Sequence, residues 1–92
     1  MEIIYKASDY FIQVVFEEEV SFTNAVLFNK ATRIGWEFSI VQVGDRTYNL
    51  TLTADKTSGM DVGVYNLELW ADTILLERKE NFAKVEETSQ SV

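Results

Sequence analysis

In the run Thr47-Tyr48-Asn49-Leu50-Thr51-Leu52-Thr53-Ala54 the side chains alternate, with Tyr48, Leu50, Leu52 and Ala54 apolar and the residues between them polar. An extended strand repeats every second residue and a helix does not, so this segment presents one face to a core and the other to water. Just before it, Gly44-Asp45-Arg46 has the composition of a tight turn, and ahead of that turn Trp36, Phe38 and Ile40 alternate in the same way. The two segments read as a hairpin. Val41 and Val43 slip out of phase on either side of Gln42, which predicts a bulge or a partly two-sided strand there.

The same period returns at 63–70, where Tyr65, Leu67 and Leu69 face one way and Asn66, Glu68 and Trp70 the other. Ala71-Asp72 separates this strand from Thr73-Ile74-Leu75-Leu76-Glu77, giving a second hairpin, and 82–86 forms a weaker closing strand. Upstream, Tyr10, Ile12, Val14 and Phe16 share one face of a further strand, which ends at Glu17-Glu18-Glu19, a solvated turn or an edge guard. The stretch 24–33 divides between a strand around 25–28 and a short helix capped by Asn24 and stopped by Gly35, with the strand favoured. Turn and cap residue types over 55–61 predict a loop with one helical turn.

The rival reading lies at 67–85, where Leu67, Trp70, Ala71, Ile74, Leu75, Phe82 and Val85 approximate a helical stripe and Glu77-Arg78-Lys79-Glu80 suits a helix. The alternation at 63–69 and the lack of a good cap inside the segment stand against it and favour strands, with an α+β fold as the alternative. The expected class is all-β, an antiparallel sandwich of about seven short strands.

A chain of 92 residues fits one domain over 1–92, with 87–92 a loose polar tail. Cysteine and histidine are both absent, which removes disulfides and the common zinc sites, so apolar packing must carry stability. The hydrophobic fraction, 47%, is ample for that, and association with other subunits is the remaining aid. Fifteen Asp and Glu against eight Lys and Arg give a formal net charge of -7. Such a surface repels nucleic-acid phosphates and anionic membrane leaflets, both of which are bound through clustered basic side chains. Met1-Glu2-Ile3-Ile4-Tyr5-Lys6 lacks the basic start and apolar run of a signal peptide, and no later stretch approaches a membrane span, so cytoplasmic synthesis is expected.

Catalytic equipment is sparse. Without histidine or cysteine, Ser-His-Asp triads and thiolate nucleophiles are excluded. Lys56-Thr57-Ser58-Gly59 has the look of a β-lactamase strand motif, but no Ser-x-x-Lys element accompanies it, and a turn explains it fully. Glu17-Glu18-Glu19 on a strand would point to alternate faces and cannot converge as a glycosidase pair. Calcium is the reasonable ligand for the loop carboxylates Asp45, Asp55 and Asp61, but no EF-hand spacing occurs, and no metal or cofactor site is assigned. No glycine-rich phosphate loop is present, and Asn49-Leu50-Thr51 matches a glycosylation pattern by accident. The candidate site is an interface: Trp70, with Glu68 and Asn66, turns outward on the strand that buries Leu67 and Leu69, although Trp70 becomes core if both faces are covered.

The run 48–70 passes from Tyr48-Asn49-Leu50-Thr51-Leu52 through the polar loop Asp55-Lys56-Thr57-Ser58-Gly59 to Gly63-Val64-Tyr65. It resembles the small immunoglobulin-like domains of tailed-phage structural proteins, similar to the N-terminal domain of phage baseplate upper proteins. In that pattern an alternating strand, a polar loop with a threonine and a Gly-x-Tyr element follow one another. The hairpin through 72–82 and the ending Thr88-Ser89-Gln90-Ser91 are similar too, while Val62 stands where the family commonly has proline. The resemblance implies an immunoglobulin-like sandwich and a non-enzymatic virion structural protein of tail, baseplate, collar or head, assembled in the host cytoplasm as an attachment module. Implied partners are other virion proteins and copies of itself in a homo-oligomer, with no nucleic acid and no membrane. Two alternatives stand beside it: a carbohydrate- or receptor-binding module using Trp70 or Tyr48, and a small acidic inhibitor of a host protein.

Overall fold

A computed structural model describes residues 1–87. Of the tail expected over 87–92, only Glu87 lies within them, and the Thr88-Ser89-Gln90-Ser91 ending lies outside the described residues. The strands are β1 (Glu2–Tyr5), β2 (Tyr10–Val15), β3 (Asn24–Asn29), β4 (Gly35–Glu37), β5 (Ser39–Gln42), β6 (Thr47–Leu52), β7 (Gly63–Ala71) and β8 (Ile74–Glu86), with one helix, α1 (Ala54–Gly59). The fold is all-β in class. Five strands form one sheet in the order β1-β8-β7-β3-β4, and three form the other in the order β2-β6-β5.

The alternating segment is β6, the centre of the smaller sheet. Tyr48, Leu50 and Leu52 are buried, while Thr47, Asn49 and Thr51 are half-buried on the opposite face. β5 pairs with β6 antiparallel, Ser39 opposite Thr51 and Gln42 opposite Tyr48, so the expected hairpin forms. Its first half does not belong to it. Gly35, Trp36 and Glu37 pair instead with β3 in the larger sheet, and the chain changes sheet at Phe38, whose N–H donates to the Ala25 carbonyl at 2.9 Å. The irregularity thus falls at Phe38, and Val41 and Val43 remain in phase on the outer face of β5, exposed to water.

Three further expectations are corrected. β1 enters the larger sheet parallel to the end of β8, Ile4 opposite Val85, so that sheet is mixed and the antiparallel reading holds only for the other pairs. Ile4 is buried there, which supplies the drive for a strand of four residues. The segments expected over 73–77 and 82–86 are joined in one strand, β8, thirteen residues long, which pairs with β7 over 74–79 and again over 83–85. Two register shifts, between Tyr65 and Leu67 and between Leu69 and Trp70, let this long strand stay in the sheet. At the first, Asn81 takes a φ of 53° and its N–H donates to Asn66 Oδ1 at 2.9 Å. Finally, 54–59 is a six-residue helix rather than a loop with one turn. It is tied down from a distance: Asp9 Oδ1 accepts from the Ala54 N–H at 2.8 Å, and the buried Thr57 hydroxyl donates to the Ser8 carbonyl at 2.7 Å while accepting from the Ser8 N–H at 3.1 Å.

The core draws on the inner faces of both sheets. Ile4, Ala25, Leu27, Tyr65, Leu67, Leu69, Ala83 and Val85 come from the larger sheet and Tyr48, Leu50 and Leu52 from the smaller, with Phe22, Phe38 and Met60 closing the ends. At one end Phe16, Phe22 and Tyr48 pack as a tilted and edge-to-face aromatic group, with centroids 4.9–5.8 Å apart.

Candidate interaction surfaces

Trp70, Glu68 and Asn66 lie together on the outer face of β7, as the alternation requires. Their side chains are engaged with one another and with β8. Arg78 Nε donates to Glu68 Oε2 at 2.8 Å, Trp70 Nε1 donates to Glu68 Oε1 at 3.2 Å, and Asn66 accepts from Asn81. Glu68 is only 8% exposed and Trp70 is half-buried, so this surface is a satisfied polar network with an indole edge. Beside it a depression of about 450 Å³ gathers Lys30, Arg33 and Arg78 with Glu68 and Glu80. Locally this reverses the sign of an otherwise acidic chain, and Lys30 Nζ already donates to Asn81 Oδ1 at 2.7 Å.

The motif carrying the faint catalytic resemblance serves α1. Lys56 Nζ donates to the Glu37 carbonyl at 2.8 Å, and Ser58 Oγ donates to the Asp55 carbonyl at 2.8 Å. Nothing orients the two toward a common point. Asp45, Asp55 and Asp61 are not brought together; among the described residues no group of three or more carboxylates assembles that could hold a metal ion. Tyr48, one of the rings considered for sugar binding, is buried in the aromatic group.

Two features that the alternation did not single out are more open. The first is the outer face of the smaller sheet. Register places Thr47, Asn49 and Thr51 in its centre, flanked by Phe11, Gln13 and Val15 on β2 and by Ser39 and Val41 on β5. No residue of that face is ionisable. Phe11 is 58%, Val15 63% and Val41 60% exposed, and Val43 continues the row at 52%. The signal was legible in Phe11 and Val15 on the face opposite Ile12 and Val14, but a strand with apolar residues on both sides reads as core until its neighbours are known.

The second is a groove of about 850 Å³ between the free edge of β2 and the overhanging β8. Ile12, Val14 and Phe16 form one wall, Leu76 and Phe82 stand on the other, and Glu2, Glu17, Glu18, Glu77 and Lys79 surround them. Glu2 is held by Tyr10, whose hydroxyl donates to Glu2 Oε1 at 3.0 Å; burial, then that carboxylate, pushes the Tyr10 pKa well above the ordinary tyrosine value.

No family model matches the chain, and no curated protein does. Among the described residues no helix is long and apolar enough to cross a membrane.

Proposed function

We propose that this chain is a non-enzymatic assembly module, an immunoglobulin-like sandwich in the particle of a tailed phage, attaching components of tail, baseplate, collar or head. The observation that carries the assembly reading is the uncharged outer face of the smaller sheet. A chain with a net charge of -7 has many ionisable side chains to solvate its surface, yet this three-stranded face holds none and exposes Phe11, Val15 and Val41. Docking there desolvates no charge, and apolar side chains between threonines and amides match the composition of a protein interface. Two sheets contributing to one core support the sandwich, and the run 48–70 supports the phage assignment.

Partners in this reading are other virion proteins and further copies of the chain. Phe11→Glu combined with Val41→Glu places charge on the docking face without touching the core. The double variant is expected to keep its melting temperature within a few degrees while being lost from assembled particles, measured by mass spectrometry of purified virions. Wild-type chain missing from particles would reject the phage assignment. The double variant incorporating normally would reject this face as the attachment surface.

A further inference from the structure

The two sheets are unequal, and the shortfall has a direction. The larger sheet has five strands and the smaller three, so β8 extends over the side where the smaller sheet ends at β2. What β2 presents to that side follows from its pairing. The Phe16 N–H donates to the Arg46 carbonyl at 2.9 Å, which turns the even-numbered residues of this antiparallel pair toward β6. Phe11, Gln13 and Val15 therefore aim their N–H and C=O groups away from β6, on the edge where Gln13 and Val15 line the groove. Along six residues this is an edge about 20 Å long.

Such an edge invites pairing with another chain, and proteins blunt edges with charge, proline or bulges. β8 shows that device. Over 74–82 no strand among the described residues pairs with its far side, and there it carries Glu77-Arg78-Lys79-Glu80 together with register shifts. The β2 strand Tyr-Phe-Ile-Gln-Val-Val has neither a charge nor a proline. One edge is guarded and the other is open onto an apolar wall.

We infer that the groove receives an extended segment of a partner protein, which adds to β2 as a fourth strand of the smaller sheet. Its backbone pairs with Phe11, Gln13 and Val15, and its alternate side chains are apolar to meet Ile12, Val14, Leu76 and Phe82. The surrounding charges set the flanks of that segment. Four carboxylates, Glu2, Glu17, Glu18 and Glu77, stand against the single Lys79, so the segment is basic beyond its apolar run. A second copy of this chain brings a net charge of -7 to an acidic rim and is disfavoured on the same ground. The inference goes beyond the virion reading and holds for the chain in any setting where such a partner exists.

The test uses the full chain and a fluorescent synthetic peptide with valine and isoleucine alternating with threonine and a short run of lysines at one end. A peptide of the same composition with its apolar residues contiguous, and one with glutamates in place of lysines, are the controls. The alternating, lysine-flanked peptide is expected to bind about tenfold tighter than either control by anisotropy. On binding, amide exchange slows at Phe11, Gln13 and Val15 and stays unchanged at Ile40, on the free edge of β5. Gln13→Pro removes an edge donor that has no partner among the described residues, and affinity falls about tenfold. Glu17→Lys with Glu18→Lys, both exposed, leaves the fold intact and transfers the preference to the glutamate-flanked peptide.

Binding indifferent to residue order, protection away from β2, or a charge-reversed variant with unchanged preference each overturns the inference. So does concentration-dependent self-association, seen by sedimentation without peptide and abolished by Gln13→Pro, which would make a second copy the occupant. Peptide binding with the chain absent from particles would sink the phage assignment alone; incorporation into particles without peptide binding would sink the groove proposal alone.

Discussion

Tyr65 shows how one buried polar atom constrains this core. Its ring is fully buried, and its hydroxyl donates to the Asp61 carbonyl at 2.7 Å, fixing the approach from α1 to β7. Burial, the largest cause, raises its pKa above the ordinary 10.0, so the folded state holds the phenol neutral where the unfolded chain ionises. The stabilisation is complete below the unfolded value and is lost as pH rises through the folded one. Stability measured by urea between about pH 7 and pH 11 should fall across the alkaline end. Tyr65→Phe should cost about 1 kcal/mol near neutrality through the lost hydrogen bond, yet decline less steeply above about pH 10. Gly35 answers to sterics instead. A Cβ there would lie 2.7 Å from Phe28 Cε1 and 3.0 Å from Val26 Cγ1, because the Phe28 ring lies across the glycine from the adjacent strand. Gly35→Ala should destabilise by about 1–3 kcal/mol in thermal or urea unfolding, and Phe28→Leu in the same chain should recover part of that loss.

Among the elements, those that carry a period-two pattern of their own were legible, and those defined only by their pairing were not. β6, β7 and the β5–β6 hairpin follow from period-two patterns, because one covered face leaves its mark on every second residue. β1 left none: Ile3 and Ile4 are adjacent, and only the parallel pairing with residues 83–86 makes a strand of them. Trp36, Phe38 and Ile40 read as one strand because the apolar phase runs unbroken through the change of sheet. The block 77–80 suited a helix by propensity, yet register puts Glu77 opposite Leu69 and Lys79 opposite Leu67, facing the groove as an edge guard. Trp70, Glu68 and Asn66 share one face of β7, but Arg78 and Asn81, which occupy polar atoms of Glu68 and Asn66, lie across a turn that no spacing could register. If the charges of β8 guard its edge, Glu77→Thr with Lys79→Thr should raise self-association at unchanged secondary structure. Static light scattering against concentration checks it, and a strictly monomeric double variant would remove that role.

For the molecule as a whole, the charge that shapes its surfaces must also work against its compactness. Only three ion pairs form among the described residues, and two of them, Lys79–Glu77 at 3.9 Å and Lys84–Glu86 at 3.4 Å, are long and half-exposed. Pairs of that kind contribute little, so the excess of fifteen acidic over eight basic side chains acts mainly as self-repulsion. Screening relieves repulsion between exposed charges more than about 10 Å apart at 0.1 M salt. The melting temperature should therefore rise by a few degrees from low to physiological ionic strength, where about 1 kcal/mol corresponds to 4–8 °C for a domain of this size. The same screening weakens the attraction between the acidic rim of the groove and a lysine-flanked strand. One salt series should thus move two readouts in opposite directions, stability upward and peptide affinity downward. A melting temperature that falls with salt would mean that local pairs such as Arg78–Glu68 outweigh the net charge. An affinity that ignores salt would mean that backbone pairing along β2 selects its partner without help from Glu17 and Glu18.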